Sequence, residues 1–315
     1  MTATRGPAAR AGVRARAWLL AALCAVLSGQ WAAAHASSTR FCDDPVPLTA
    51  EQKDKLFGFG AVIKSQLDAS GHSLAFIARS GLDLSRFGQR YSHAGLSLKT
   101  GLSTPWAVRQ LYYACDEKRP RVFDQGISAF LLGLNDPSEG YISIVFVPPE
   151  QAAVLERAVL DNRQALQLLG ATYSANAYAF SRMYQNCNQW VAEMLAAAWG
   201  GLDDGAPDLR ARAQAWLKDQ GYRPTAFDLG WRPLMWLASF IPWLHDDDHP
   251  AEDLDEQRFR VSMPASIEAF VRATVPGATR IELCHAGARV VVRRGWEPLP
   301  EGCVAEAQDT VISLD

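Results

Sequence analysis

Two short segments carry side chains whose types and spacing could do chemistry. The first is Tyr184-Gln185-Asn186-Cys187-Asn188-Gln189-Trp190. Asn186 is a strong helix cap, and Gln189 stands three residues later in the capping-box position. Cys187 is therefore expected in the first turn of a helix, with Asn186 and Asn188 beside it as supports. There the unpaired backbone N–H groups and the helix dipole stabilise a thiolate and lower the thiol pKa. The thiolate is the nucleophilic form, and the same N–H groups could hold an oxyanion. Cysteine is also often simply buried, so a structural thiol or half of a disulfide fits the local pattern equally. The second segment is Tyr91-Ser92-His93-Ala94-Gly95-Leu96. It puts His93 on an expected strand beside small residues, which let another segment or a substrate approach. Histidine is the commonest general base near neutral pH. A thiol and an imidazole brought together would do acyl transfer.

The start of the chain and its cysteines bear on where such a site would work. Arg5, Arg10, Arg14 and Arg16 precede an apolar run over 17–27 and then Ala34-His35-Ala36. A basic head, a short apolar core and an A-x-A site make a secretory signal, with cleavage expected after Ala36. The core is short of the ~20 residues that span a bilayer. Leu23 before Cys24 is too large for a lipid-attachment site. A periplasmic or secreted protein starting at Ser37 is the expectation. Losing four arginines and no acids takes the formal charge from −3 to −7. An acidic chain without a basic stripe excludes nucleic acid as the expected partner. Cys42, Cys115, Cys187, Cys284 and Cys303 remain, and an oxidising compartment favours disulfides. Five is odd, so one thiol is left over. Cys284 and Cys303 flank two short strands and are expected to pair. Cys42 with Cys115 is the second expected pair, leaving Cys187.

The elements that must position these residues are legible in outline. Apolar spacing and Thr49 as cap predict a helix over 48–67. Strands are expected over 73–78, 91–99, 106–114 and 141–147, the last buried on both faces. Pro148-Pro149 opens a helical pattern over 150–169. The helix starting near Cys187 should stop at Gly200-Gly201. A short helix over 266–273 and strands over 280–284 and 288–293 follow. The domain plan is a signal peptide over 1–36, a main domain over 37–255 and a small α/β appendage of the same domain over 256–315. The stretch from Trp231 to Trp243 reads as a packed flap. Trp231, Trp236 and Trp243 could instead form a membrane- or partner-facing surface.

Three other sites compete. Gly71-His72-Ser73-Leu74-Ala75 imitates a nucleophile elbow but does not follow a buried strand. His245 and His249 lie in an acidic stretch read as a solvated loop, without a third ligand segment, so no metal is expected. His285 sits beside Cys284 and belongs with the disulfide.

Together, the Ser92-His93-Ala94-Gly95-Leu96 strand and the Asn186-Cys187 helix start resemble the circularly permuted branch of the NlpC-type papain-like hydrolases. The order, histidine strand before cysteine helix, is that of the lecithin retinol acyltransferase-like members. The mature chain also resembles a family of exported bacterial proteins catalogued as a domain of unknown function. That likeness is carried by 91–96, 106–115, Asp124-Gln125-Gly126 and 184–190. The first resemblance implies an α+β, permuted papain-like fold, an antiparallel sheet with the nucleophile at a helix N-terminus. It implies Cys187 as nucleophile and His93 as base, with no cofactor. Such sites usually hold a third polar residue on the next strand, where Gln110 stands and Arg109 faces the other way. A cell-wall peptide or other peptide amide is the first expected substrate and a lipid ester the second. The rival class is a non-catalytic binder that uses the same groove.

Overall fold

The first described helix, α1 (Ala50–Ala69), opens on a complete capping box. The Thr49 hydroxyl accepts from the Gln52 amide at 3.1 Å, and the Gln52 carboxamide accepts from the Thr49 amide at 2.9 Å. The computed structural model describes residues 48–101, 103–134, 136–230 and 241–314. These belong to one compact unit. The chain continues through β1 (Leu74–Arg79), β2 (His93–Leu98), β3 (Ala107–Ala114), β4 (Arg119–Gln125), α2 (Ile127–Leu131), β5 (Glu139–Phe146), α3 (Pro149–Leu160), α4 (Asn162–Gln167), α5 (Cys187–Trp199), α6 (Leu209–Asp219) and β6 (Thr225–Asp228). It ends with α7 (Ala251–Asp255), β7 (Arg258–Val261), α8 (Pro264–Thr274), β8 (Thr279–Ala286), β9 (Arg289–Arg294) and β10 (Thr310–Ser313).

Eight strands form one sheet in the order β10-β9-β8-β5-β1-β2-β3-β4, every neighbour antiparallel. The protein is thus α+β with a large antiparallel sheet, and β6 and β7 make a separate two-stranded ribbon. Both faces of the sheet are covered. Ala75, Ile77, Ile142, Ile144 and Leu283 face Leu56, Phe59, Ile63 and Leu67 of α1 and Phe130 and Leu131 of α2. Each of the Leu, Ile and Phe side chains contributes roughly 1.5–3 kcal/mol by leaving water. Alternation turns Ala78, Ala94, Leu96 and Arg109 to the opposite face. The Arg109 guanidinium donates to the Val159 carbonyl at 2.6 Å, which fixes α3 on that face, and α5 packs beside α3 against β2 and β3.

Several elements differ from expectation for identifiable reasons. The helical pattern over 150–169 is two helices. Asp161 sits between them at φ −75°, ψ 103°, and its carboxylate caps α4 by accepting from the Arg163 and Gln164 amides. The last sixty residues supply β8, which pairs along its whole length with the central β5, so they extend the main sheet. The 245–249 segment is no solvated loop. His249 is buried, its Nε2 donates to the Asn176 carbonyl at 2.8 Å, and its ring packs on Phe259. The expected signal peptide with Cys24, and Cys42, Trp231 and Trp236, lie outside the described residues, while Trp243 is half-buried and its carbonyl accepts from the Ala175 amide.

Candidate active site

Cys187 is the first residue of α5, and Asn186 caps it: its carboxamide oxygen accepts from the Gln189 amide at 2.7 Å. The reciprocal half of the expected box does not form. The Gln189 side chain instead donates to the Ser181 carbonyl and to Glu193. Glu193, fully buried, also takes hydrogen bonds from Gln185, Arg210 and Gln214. One carboxylate thereby ties both glutamines that flank the cysteine to the body of α5 and α6. Burial pushes the Glu193 carboxyl up, and the Arg210 charge opposes this.

Cys187 is the free cysteine of the described residues. Cys284 and Cys303 are joined, as expected, with Cα atoms 5.7 Å apart, and Cys115 is also disulfide-bonded. The backbone N–H groups of Asn188 and Cys187 and the Tyr173 hydroxyl favour the Cys187 thiolate. Tyr173 in turn stacks on Tyr113 of β3, ring centroids 4.9 Å apart. The helix start does aim N–H groups at the sulfur. The expected lowering of the thiol pKa is nonetheless overturned: burial outweighs these donors and the nearby Arg79 charge, and the thiol is pushed up to about 11.

His93 opens β2, opposite Arg79 of β1, on the face covered by α1 and α2. Its Nε2 is hydrogen-bonded to the Gln110 carboxamide oxygen, and Gln110 Nε2 donates to Gln125 at 2.5 Å. Gly95 is required here, since a Cβ would meet Val108 at 2.5 Å and the Arg109 carbonyl at 2.9 Å. Burial, and then Arg79, push the His93 imidazole down to about 3, against the Gln110 bond. The resting site therefore holds a neutral thiol and a neutral imidazole.

Cys187 and His93 reach the same end of the sheet from its two faces. Asn188 links them, its side-chain carboxamide nitrogen donating to the Ser92 carbonyl at 3.1 Å. Among the described residues no hydrogen bond joins the two side chains directly. Asn186 spends its carboxamide nitrogen on the Ala175 and Ser262 carbonyls, so it is a cap and not a free oxyanion donor. Arg109, as expected, faces away, paired with Asp124 at 2.7 Å. Among the described residues no cluster of three or more His, Cys, Asp or Glu side chains could hold a metal ion, and no helix is long and apolar enough to cross a membrane. Sequence reasoning missed Arg79 and Tyr173. Arg79 had a signal, being a charge at the end of an otherwise apolar strand between two glycine-containing turns.

Residues 66–271 match the family described as an uncharacterized protein conserved in bacteria (DUF2145). The chain belongs to this family. The matched region contains Arg79, His93, Gln110, Tyr173 and Cys187, and stops before β8. No curated protein and no solved structure matches the chain.

Proposed function

We propose that this family member is an exported thiol-dependent hydrolase or acyltransferase, built on the permuted papain-like (NlpC-type) plan. The observation that carries the reading is one free thiol at a capped helix N-terminus, at the sheet end where Gln110 is hydrogen-bonded to His93. Cys187 attacks the carbonyl carbon of an amide or ester while its proton passes to His93. Backbone N–H groups at the start of α5 hold the oxyanion. His93 then returns the proton to the leaving amine or alcohol, and water or a second acceptor releases the acyl group. Starting from a neutral pair, attack and proton transfer occur together. Such catalytic contacts are often long before substrate binds. A peptide or cell-wall peptide amide is the first substrate class and a lipid ester the second. The disulfides support export, and the reaction as written needs no cofactor.

The test is intact-mass spectrometry of the full chain incubated with cell-wall peptides and with acyl esters. An acyl adduct on Cys187, absent in Cys187→Ala, is expected, with turnover reduced at least ~1000-fold in that variant. Turnover that survives Cys187→Ala ends the proposal. The buried, uncharged state of both side chains favours a second reading, a binding protein that keeps the groove without turning over. It predicts ligand binding undisturbed by Cys187→Ala and no adduct at all.

A further inference from the structure

Arg79 occupies a slot made by two glycines. A Cβ on Gly133 would fall on the Arg79 guanidinium itself. A Cβ on Gly81 would lie 2.9 Å from Arg79 Nη1 and 2.5 Å from the Ser92 hydroxyl. Neither glycine has the positive φ that would demand glycine for backbone reasons. The space itself is what glycine supplies, and the guanidinium fills it. There it donates to the Gly133 carbonyl and lies 5.3 Å over the Phe130 ring.

This slot is at the site. Arg79 is the register partner of His93, and the Ser92 whose hydroxyl crowds Gly81 gives its carbonyl to Asn188, the residue after Cys187. Among the described residues, neighbouring elements bring Arg79 from β1, His93 from β2, Tyr113 from β3 and Tyr173 from the segment before α5 to this end. Glu193 of α5 is neutralised by Arg210 of α6, and Glu268 of α8 by Arg280. Of these, Arg79 is the cation whose charge reaches both the sulfur and the imidazole.

We propose that the Arg79 guanidinium, wedged between Gly81 and Gly133, is the fixed positive charge that meets the Cys187 thiolate when the thiol loses its proton. It acts through charge and position and transfers no proton. It also fits the division of labour with His93, because burial first and then this cation keep the ring neutral and able to accept a proton. The inference deepens the reading of Cys187 as nucleophile, and its test reads ionisation without any turnover.

The experiment is the rate of Cys187 alkylation by iodoacetamide in the full unreduced chain, followed between pH 6 and pH 11. The thiolate forms the S–C bond, iodide leaves, and the thiol proton goes to solvent. Arg79→Met should slow labelling about tenfold at pH 8 and move the profile up by about one unit, and Arg79→Lys should restore most of the rate. Gly133→Ala keeps the charge and the fold but displaces the guanidinium, so it should slow labelling in the same direction. Wild-type profiles in Gly133→Ala and in a folded Arg79→Met would overturn the proposal. If Arg79→Met does not fold, Gly133→Ala alone decides. An Arg79-dependent profile in a chain that acylates no substrate would end the hydrolase reading and leave this inference standing.

Discussion

At the scale of the residue, the decisive quantity is what burial does to two ionisable groups. A thiol raised to about 11 is thiolate to only about one part in 10,000 at pH 7. Cys187 is therefore expected to react with iodoacetamide slowly at pH 7 and about tenfold faster per pH unit up to pH 10. Fast labelling at pH 6 would show that the amides and Arg79 outweigh desolvation. Gln110→Ala removes the acceptor that holds the imidazole. It should lower turnover of an acylating substrate roughly 10- to 100-fold by analogy with other orienting residues, and leave the Cys187 labelling rate within about twofold. A parallel fall in both would assign Gln110 to packing. Reading the helix N-terminus as thiolate-stabilising was sound about the donors, which are present at the sulfur. It failed on magnitude, because a sequence does not show how deeply one side chain is enclosed.

At the scale of the element, the start of α5 is held from two sides. Asn186→Ala should cost about 1 kcal/mol as a lost cap, and more if the Ala175 and Ser262 carbonyls are left unmet. Glu193→Ala strands the buried Arg210 and should cost about 3–5 kcal/mol, read by urea unfolding followed by circular dichroism. A loss below 1 kcal/mol would mean water replaces the carboxylate. Most elements near the site were legible: β2 and β3 from small, aromatic and branched residues, α1 from Thr49 and Gln52, and α5 from Asn186 and its glycine stop. The break at Asp161 was legible too, in an Asp followed by Asn162-Arg163-Gln164, but a continuous apolar spacing masks a cap inside it. β4 was not, because Arg119-Pro120-Arg121 reads as a loop. It is a strand because it is the edge of the sheet, where proline and charge are tolerated. The Glu193 hub is invisible in sequence, since its partners come from 185, 189, 210 and 214 and meet only after α6 docks.

At the scale of the whole molecule, stability should depend on acid in a defined window. His93 and His285 are both buried, and both rings refuse a proton in the folded chain, until about pH 3 and about pH 4. Unfolding lets each take one near pH 6.5, so the unfolded state binds more protons across that range. Stability is complete above about pH 6.5 and falls as pH drops, by up to ~1.4 kcal/mol per unit for each ring. His285→Leu should flatten the slope between pH 6 and pH 4.5 by about that amount, as measured by urea unfolding at a series of pH values. An unchanged slope would mean His285 titrates normally. The Cys284–Cys303 bridge closes a 19-residue separation, and its removal should cost about 3 kcal/mol. The strand order also has a bearing on how the molecule comes into being. β1 to β4 zip up as successive antiparallel neighbours, but β5 finds its second partner only in β8, some 140 positions further along. Loop closure over that distance is slow compared with hairpin formation. Until residue 286 is available, a growing or truncated chain shows the long apolar flank of β5 as a bare edge, open to pairing with a second chain. Assembly of this sheet is thus held open at its centre, and the last part of the polypeptide to arrive is the one that shuts it.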